Sequence, residues 1–339
     1  MPRLGVVGTM VWDTIHARDV GRDQPIQEWG GIAYALAAAD AALGGEWTVF
    51  PIIKIGRDLR PRAEEFLRTL PSIDGLDGVR TVEEPNNRVE LFYHEIGRRC
   101  ERLTGGVPGW EADEIRLVAR SCDALYVNFI AGWELGLPAA AGLRAATRGP
   151  VYCDLHSLML GVGPDGVRSL KPLADWRAWL RCFDAVQLNE DELTTLAEGW
   201  DDPWALAAEV VGPAPGAVFV TLADRGAAWV ATRAFWERPL DSVIGGALQT
   251  AGGPLVSGRV PAERHVEQPD PTGCGDVWGA TCFAALLSGA PLEEAMRRAN
   301  GAAARNAAYR GATGLSEHLR SSTGLVTGDG SSARRGATQ

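Results

Sequence analysis

The sequence predicts an α/β protein: a largely parallel sheet buried between helices, with a small β outgrowth. Three observations carry this reading. Short apolar runs alternate with helical patterns from the first residues onward, the rhythm of repeated βαβ units. One stretch, residues 88–103, breaks that rhythm and is β-rich. No internal repeat and no linker divides the chain into two globular halves.

Taken in order, residues 4–11 form the first strand. The run Met1-Pro2-Arg3-Leu4-Gly5-Val6-Val7-Gly8 reads as that buried strand rather than as a secretory leader. An Ala-rich helix over 31–43 ends at Gly44-Gly45. A second strand spans 47–55, and an amphipathic helix over 60–70 is closed by Pro71. Residues 88–95 and 98–103 form a hairpin about Ile96-Gly97, to which 14–29 supplies a partner strand. Strands at 124–129, 151–154, 185–188 and 217–222 then alternate with helices at 137–146, 176–182, 191–198 and 203–211. Residues 321–339 are rich in Ser, Gly, Thr and Arg without apolar periodicity, the pattern of a disordered tail. The expectation is one domain over 1–320, with lid elements at about 14–29 and 86–105.

Composition narrows the function. With 339 residues, 46% of them hydrophobic, the chain is long enough to build a substantial core. A net charge of −10, with no basic run longer than two residues, speaks against gripping a nucleic-acid backbone. No stretch approaches the roughly 20 apolar residues of a membrane span. Lys54 and Lys171 are the only lysines, and they follow Ile53 and Leu170. A Gly-Lys-Ser/Thr phosphate loop is therefore excluded. Six cysteines (Cys100, Cys122, Cys153, Cys182, Cys274, Cys282) without a CxxC read as reduced thiols of a cytoplasmic protein. His16, His94, His156, His265 and His318 stand singly, without the spacing of a zinc helix.

The most informative segment is Asp270-Pro271-Thr272-Gly273-Cys274-Gly275-Asp276, followed by an apolar run to Leu287. Pro271 and the glycines prevent regular structure before residue 273, and the run beyond reads as a buried helix. A Gly-rich turn feeding a helix N-terminus leaves amide N–H groups unpaired and forms a site for an anion. Asp276 in the first helical turn has two readings. Its carboxylate faces a hydroxyl that attacks phosphorus, or it complements the helix dipole, worth about 0.3–1 kcal/mol. Spacing alone leaves both open.

Other segments carry weaker signals. Asp154-Leu155-His156-Ser157 ends a strand on the edge expected to line a cleft, where it could touch substrate. No Gly-x-Ser-x-Gly elbow accompanies it, so it is not a hydrolase triad. Arg98, Arg99 and Arg102 either steer phosphates or solvate a strand. Trp12 and Trp133 either stack on a sugar face or a base, or fill core.

From about residue 3 to residue 315 the chain resembles the PfkB family of carbohydrate kinases, the ribokinase-like fold. The segments that carry the resemblance are Gly5-Val6-Val7-Gly8 with Asp13, Gly30-Gly31, Ile55-Gly56-Arg57-Asp58, Asn189-Glu190-Asp191-Glu192, the loop from Thr221 to Gly226, and Asp270 to Asp276. The resemblance implies a three-layer αβα architecture with a β lid. It implies Asp276 as general base on the acceptor hydroxyl, with the amides of Gly273, Cys274 and Gly275 holding the transferring γ-phosphoryl group. Asp13, Gly30 and Gly31 would bind the acceptor. Thr221, Gly226, Thr272, Asn189 and Asn300 would bind ATP, with Asn300 beside the adenine. Asn189 and Glu192 would organise Mg²⁺ through water, although the same pair fits a helix capping box. The carbonyl of Asp270 would serve a monovalent cation such as K⁺.

Four positions depart from the family pattern. Ala35 replaces Asn and Ile32 replaces Lys, which points away from ribose. Cys274 replaces Ala, and Ala223 stands where Gly is usual. The function expected is ATP-dependent phosphorylation of a sugar or sugar-like molecule. A nucleoside kinase is the second reading, and a catalytically weak sugar- or nucleotide-binding sensor the third. An exposed lid edge suits a homodimer.

Overall fold

The computed structural model describes residues 1–16, 25–93, 99–240, 254–262 and 269–321. The chain opens with β1 (Arg3–Gly8), β2 (Met10–His16) and β3 (Ile26–Gly31) before α1 (Ile32–Leu43). Next come β4 (Thr48–Gly56), α2 (Arg60–Arg68), β5 (Val79–Val82), β6 (Arg88–Tyr93) and β7 (Arg99–Thr104). Helices α3 (Ala112–Ala119) and α4 (Leu137–Ala146) flank β8 (Ala124–Asn128), and β9 (Val151–Asp154) follows. A short hairpin, β10 (Leu160–Val162) with β11 (Arg168–Leu170), precedes α5 (Trp176–Leu180), β12 (Ala185–Asn189) and α6 (Glu190–Leu196). Then come α7 (Pro203–Val210), β13 (Ala217–Thr221), β14 (Ala227–Thr232), α8 (Arg233–Glu237) and β15 (Leu255–Val260). Helices α9 (Cys274–Leu287), α10 (Leu292–Ala307) and α11 (Leu315–Ser321) end the described chain.

Nine strands form the central sheet in the order β15-β14-β13-β12-β9-β8-β1-β4-β5. Every pair is parallel except β13–β14 and β14–β15 at one edge. One face is covered by α1, α9 and α10, the other by α3, α4, α6 and α7. This is the layered architecture the apolar runs predict. Helix α9 is buried without interruption from Val277 to Leu286, as its all-round apolar sequence demands. Beneath it the rings of Tyr126, Tyr152 and Phe219 pack with its own Phe283, centroids 5.2–6.4 Å apart.

The lid is a four-stranded sheet in the order β3-β2-β6-β7. It corrects two sequence boundaries. The expected single strand over 4–11 breaks at Thr9, and the first lid strand begins at Met10 rather than near 14. The apolar run hides the switch because Met10 and Val11 are buried at the base of the lid. Burial along β1 is continuous, whereas along most of β2 it alternates with period two. The 191–198 helix also starts earlier, at Glu190, because Asn189 caps it. Residues 17–24, the hairpin turn at 96–97 and the expected tail from 322 onward lie outside the described residues.

Candidate active site

The carboxyl ends of the parallel strands converge, the usual ligand edge of such sheets. In register, Asn128 pairs with Asp154, Asp154 with Gln187, and Asn189 with Thr221. The turn before α9 meets this edge. Gly273 has φ 73°, and a Cβ there would stand 2.4 Å from the Tyr34 ring, so only glycine fits. Asp270 Oδ1 accepts from the Thr272 amide at 3.0 Å, and Asn306 Nδ2 donates to the Thr272 carbonyl at 2.8 Å. Gln187 Nε2 donates to the Gly275 carbonyl at 3.0 Å. Helix α9 lies close to the sheet: a Cβ on Gly279 would be 2.2 Å from Gln187 Oε1 and 2.6 Å from Tyr126 Oη.

Among the described residues, the amides of Gly273 and Gly275 donate to no protein acceptor. The Cys274 amide departs from the three-amide expectation, because it donates to the Pro271 carbonyl at 3.2 Å. The thiol of Cys274 turns toward the carbonyls of Asp270 and Ala303, at 3.8 and 3.6 Å.

Asp276 lies in the first turn of α9, where Asn128 Nδ2 donates to its Oδ1 at 2.6 Å. Asp13 on β2 is 4% exposed, and a Cβ on Gly30 would sit 1.9 Å from its Oδ2. The bare backbone at Gly30 is therefore what admits the Asp13 carboxylate. Asp13, Gly31, Tyr34, His156, Arg168 and Asp276 line one cavity of about 50 Å³, together with Thr272 and Gly273. The lid base and the glycine turn thus share a single space. Burial, and then the charges of Asp13, Asp270, Asp276 and Glu28, hold the Tyr34 hydroxyl protonated well above its ordinary range. Arg168 spans the lid junction. It donates to the Ile130 carbonyl at 2.9 Å and lies 3.6 Å from Glu101 on β7.

Next to the cavity is a polar chain. Gln187 Nε2 also donates to Asp154 Oδ2 at 3.0 Å, and burial pushes the Asp154 carboxyl well above its usual value. His156 Nδ1 stands 3.1 Å from Glu192 Oε1. Burial pulls the His156 ring down, but the Glu192 hydrogen bond and the charges of Glu192, Asp154 and Asp276 outweigh it, raising its pKa to about 9. Asn189 and Glu192 close a reciprocal capping box: Asn189 Oδ1 accepts from the Glu192 amide, and the Glu192 carboxylate accepts from the Asn189 amide and Nδ2, all at 2.7–2.8 Å. With those donors and His156 in place, three of the four lone-pair sites of the Glu192 carboxylate are taken, two on Oε1 and one on Oε2. Among the described residues no group of three His, Cys, Asp or Glu side chains could hold a metal.

At the other end of the edge, Thr221 closes β13 and Gly226 has φ 90°. A Cβ on Gly226 would lie 2.2 Å from the Val260 carbonyl. Ala223 takes φ 52°, the left-handed conformation that glycine adopts freely. Asn300, the residue expected beside a base, is hydrogen-bonded within the chain. Both of its amide hydrogens go to the carbonyls of Val260 and Pro261 at 3.1 Å, and its Oδ1 accepts from Trp278. It holds the segment that flanks Gly226. Asp270 faces Arg310 at 3.6 Å as well as the turn.

Both tryptophans, and Arg102 of the hairpin, have partners within the chain. Trp12 packs edge-on against Trp29 under Arg62, and Trp133 donates to the Val107 carbonyl. Arg102 donates to the Asp165 carbonyl. Arg98 lies outside the described residues. Sequence reasoning missed Asn128, Gln187, Tyr34 and Arg168. A polar residue closing a buried apolar strand was the available signal for Asn128 and Gln187.

Residues 166–319 match the family model described as pfkB family carbohydrate kinase. No curated protein matches the chain. Solved structures match over nearly its whole length. Ribokinase from Thermotoga maritima is 18% identical with a TM-score of 0.68, covering 95% of this chain and 99% of its own. Ribokinase from Arabidopsis thaliana, complexed with ribose and ATP, is 19% identical with a TM-score of 0.67, covering 96% and 99%. A nucleoside kinase from Burkholderia thailandensis, in complex with inosine, is 17% identical with a TM-score of 0.64, covering 94% and 97%. The chain therefore has the ribokinase-like fold. Among the described residues no helix is long and apolar enough to cross a membrane.

Proposed function

We infer that this chain, a phosphotransferase of the pfkB type by its match over residues 166–319 and by its fold, moves the γ-phosphoryl group of ATP to a hydroxyl of a small sugar or sugar-like acceptor. The observation that carries this reading is the shared cavity: Asp13 from the lid and Asp276 from α9 line one small space beside the glycine turn.

The acceptor lies between the lid base (Asp13, Gly30, Gly31) and the turn. Asp276, held by Asn128, takes the proton of the attacking hydroxyl. The Gly273 and Gly275 amides and the positive end of the α9 dipole receive the charge of the transferring group. The nucleotide arrives as Mg·ATP, its phosphates running along the Thr221–Gly226 loop, Thr272 and Asn189. Asn189 and Glu192 would hold the Mg²⁺ through water, where it would offset charge on the phosphates, and Asn300 contributes by fixing the 260–261 segment. The Asp270 carbonyl is the place for a K⁺ requirement, read from turnover in K⁺ against Na⁺ buffer. Closure of the lid keeps water from the phosphoryl group.

A nucleoside is the second acceptor class, and the solved structures that resemble this chain include kinases of both kinds. Six free cysteines suit a reducing, cytoplasmic setting. The outer edge of β3 offers pairing to a second copy of the chain.

The test is ADP release against a panel of sugars and nucleosides, repeated with Asp276→Asn. That variant is expected to lose about 10²–10⁴-fold in kcat, the range for a general base, with little change in acceptor KM. Undiminished turnover would refute the role. Acceptor binding without any turnover would favour the sensor.

A further inference from the structure

We propose that His156 is a second contact for the phosphate acceptor, its Nε2 hydrogen-bonding an acceptor hydroxyl from the sheet side of the cavity and thereby setting which acceptors are accepted. The inference rests on the kinase reading above and adds a specificity-determining residue to it.

The geometry argues as follows. His156 begins the short helical turn that leaves β9, and it lines the same cavity as Asp13 and Asp276. Its orientation is built. Nδ1 is tied to Glu192, whose carboxylate is itself locked by the Asn189 capping box. The backbone around it is pinned too: the Leu155 amide donates to the Gln187 carbonyl at 3.0 Å, and the Ser157 amide to the Phe129 carbonyl at 2.9 Å. His156 also adopts a positive φ of 23°, an unfavourable backbone for a residue with a Cβ. With Nδ1 engaged, Nε2 has no hydrogen-bond partner among the described residues.

A purely structural role, as companion to Glu192, would be served by a ring as buried as Glu192 itself. Instead the His156 side chain is 36% exposed, against 3% for Glu192. His156 lines the cavity, whereas Glu192 does not. A sugar hydroxyl both donates and accepts, so the contact holds whichever way the proton on the ring is arranged. Asp13 and Asp276 are carboxylates that accept from hydroxyls. His156 adds a nitrogen to that set, which favours an acceptor with several hydroxyl groups over one with a single hydroxyl.

The experiment takes the best acceptor from the panel and measures full kinetics for wild type, His156→Ala and His156→Gln, with thermal melts to confirm folding. Acceptor KM should rise about 10-fold in His156→Ala, the size of one lost hydrogen bond, while KM for ATP stays within about 2-fold. Among deoxy analogues of that acceptor, one should lose affinity with wild type yet be insensitive to His156→Ala. His156→Gln, which keeps a donor and an acceptor at the site, should recover part of the loss. An unchanged acceptor KM, or a rise shared equally by ATP, overturns the proposal. If Asp276→Asn abolishes turnover while the His156 variants behave as wild type, the kinase reading stands and this contact falls. If no acceptor on the panel supports turnover, both fall together.

Discussion

The side-chain amide of Asn128, at the end of β8, donates to the Asp276 carboxylate at 2.6 Å. The two residues come from opposite sides of the site, one from the sheet and one from the helix laid across it. The bond aims the Asp276 oxygens, and it joins the Gln187 contact to Gly275 in fixing the glycine turn to the strand ends.

Asn128→Ala therefore removes the aim of the proposed base, Asp276, and leaves its carboxylate in place. We expect kcat to fall about 10- to 100-fold, the scale of a small misplacement of a reacting group, with KM for both substrates nearly unchanged. Steady-state kinetics checks it, and a variant as fast as wild type would mean that Asp276 is positioned by something else.

Gly279→Ala sets helix preference against packing. Alanine is favoured in a helix interior by up to about 1 kcal/mol. Here its Cβ would press on Gln187 and Tyr126, an overpacking cost of about 1–3 kcal/mol. The variant should melt at a lower temperature and lose activity, because α9 carries the glycine turn and Asp276 with it. A raised melting temperature would show that α9 can lift off the sheet freely.

Ala223→Gly runs the other way. At φ 52° alanine is strained, so glycine should stabilise the protein by about 0.5–1 kcal/mol even after its greater freedom in the unfolded chain. Chemical denaturation measures this, and a destabilised variant would count against the conformation of that loop.

Acid should weaken the lid junction. Partial burial pushes the Asp58 carboxyl up, but the Asn86 amide at 2.9 Å and the Arg88 guanidinium at 2.7 Å outweigh it and hold its pKa below the ordinary carboxylate value. A depressed folded pKa gives stability that is present above the unfolded value and lost as pH falls through the folded one. Melting temperature measured from neutral pH down past the ordinary carboxylate range should therefore fall less steeply in Asp58→Asn than in wild type. Parallel curves would remove Asp58 from the account. Because Arg88 lies on β6, the same titration should loosen the lid against β4.

Much of this was legible in sequence for a physical reason. Continuous apolar runs between helical patterns admit little besides a covered parallel sheet, and a glycine turn before an all-apolar helix already implies an open anion site. At position 223 the sequence showed only an alanine where the family has glycine, and the left-handed backbone there came from the structure. The capping box of Asn189 and Glu192 was visible too, though their spacing alone could not tell a cap from a metal-organising pair. The strand break at Thr9 was not legible, because residues buried under the lid look the same as residues buried in the sheet.

The chain's own order of residues thus decided the layers, the turn and the acid on it. Tertiary structure alone decided which strand ends meet that turn, since register between distant strands brings Asn128, Gln187 and His156 to it. Side chains separated by a hundred residues become neighbours only when the sheet sets their spacing, and no local pattern records that distance.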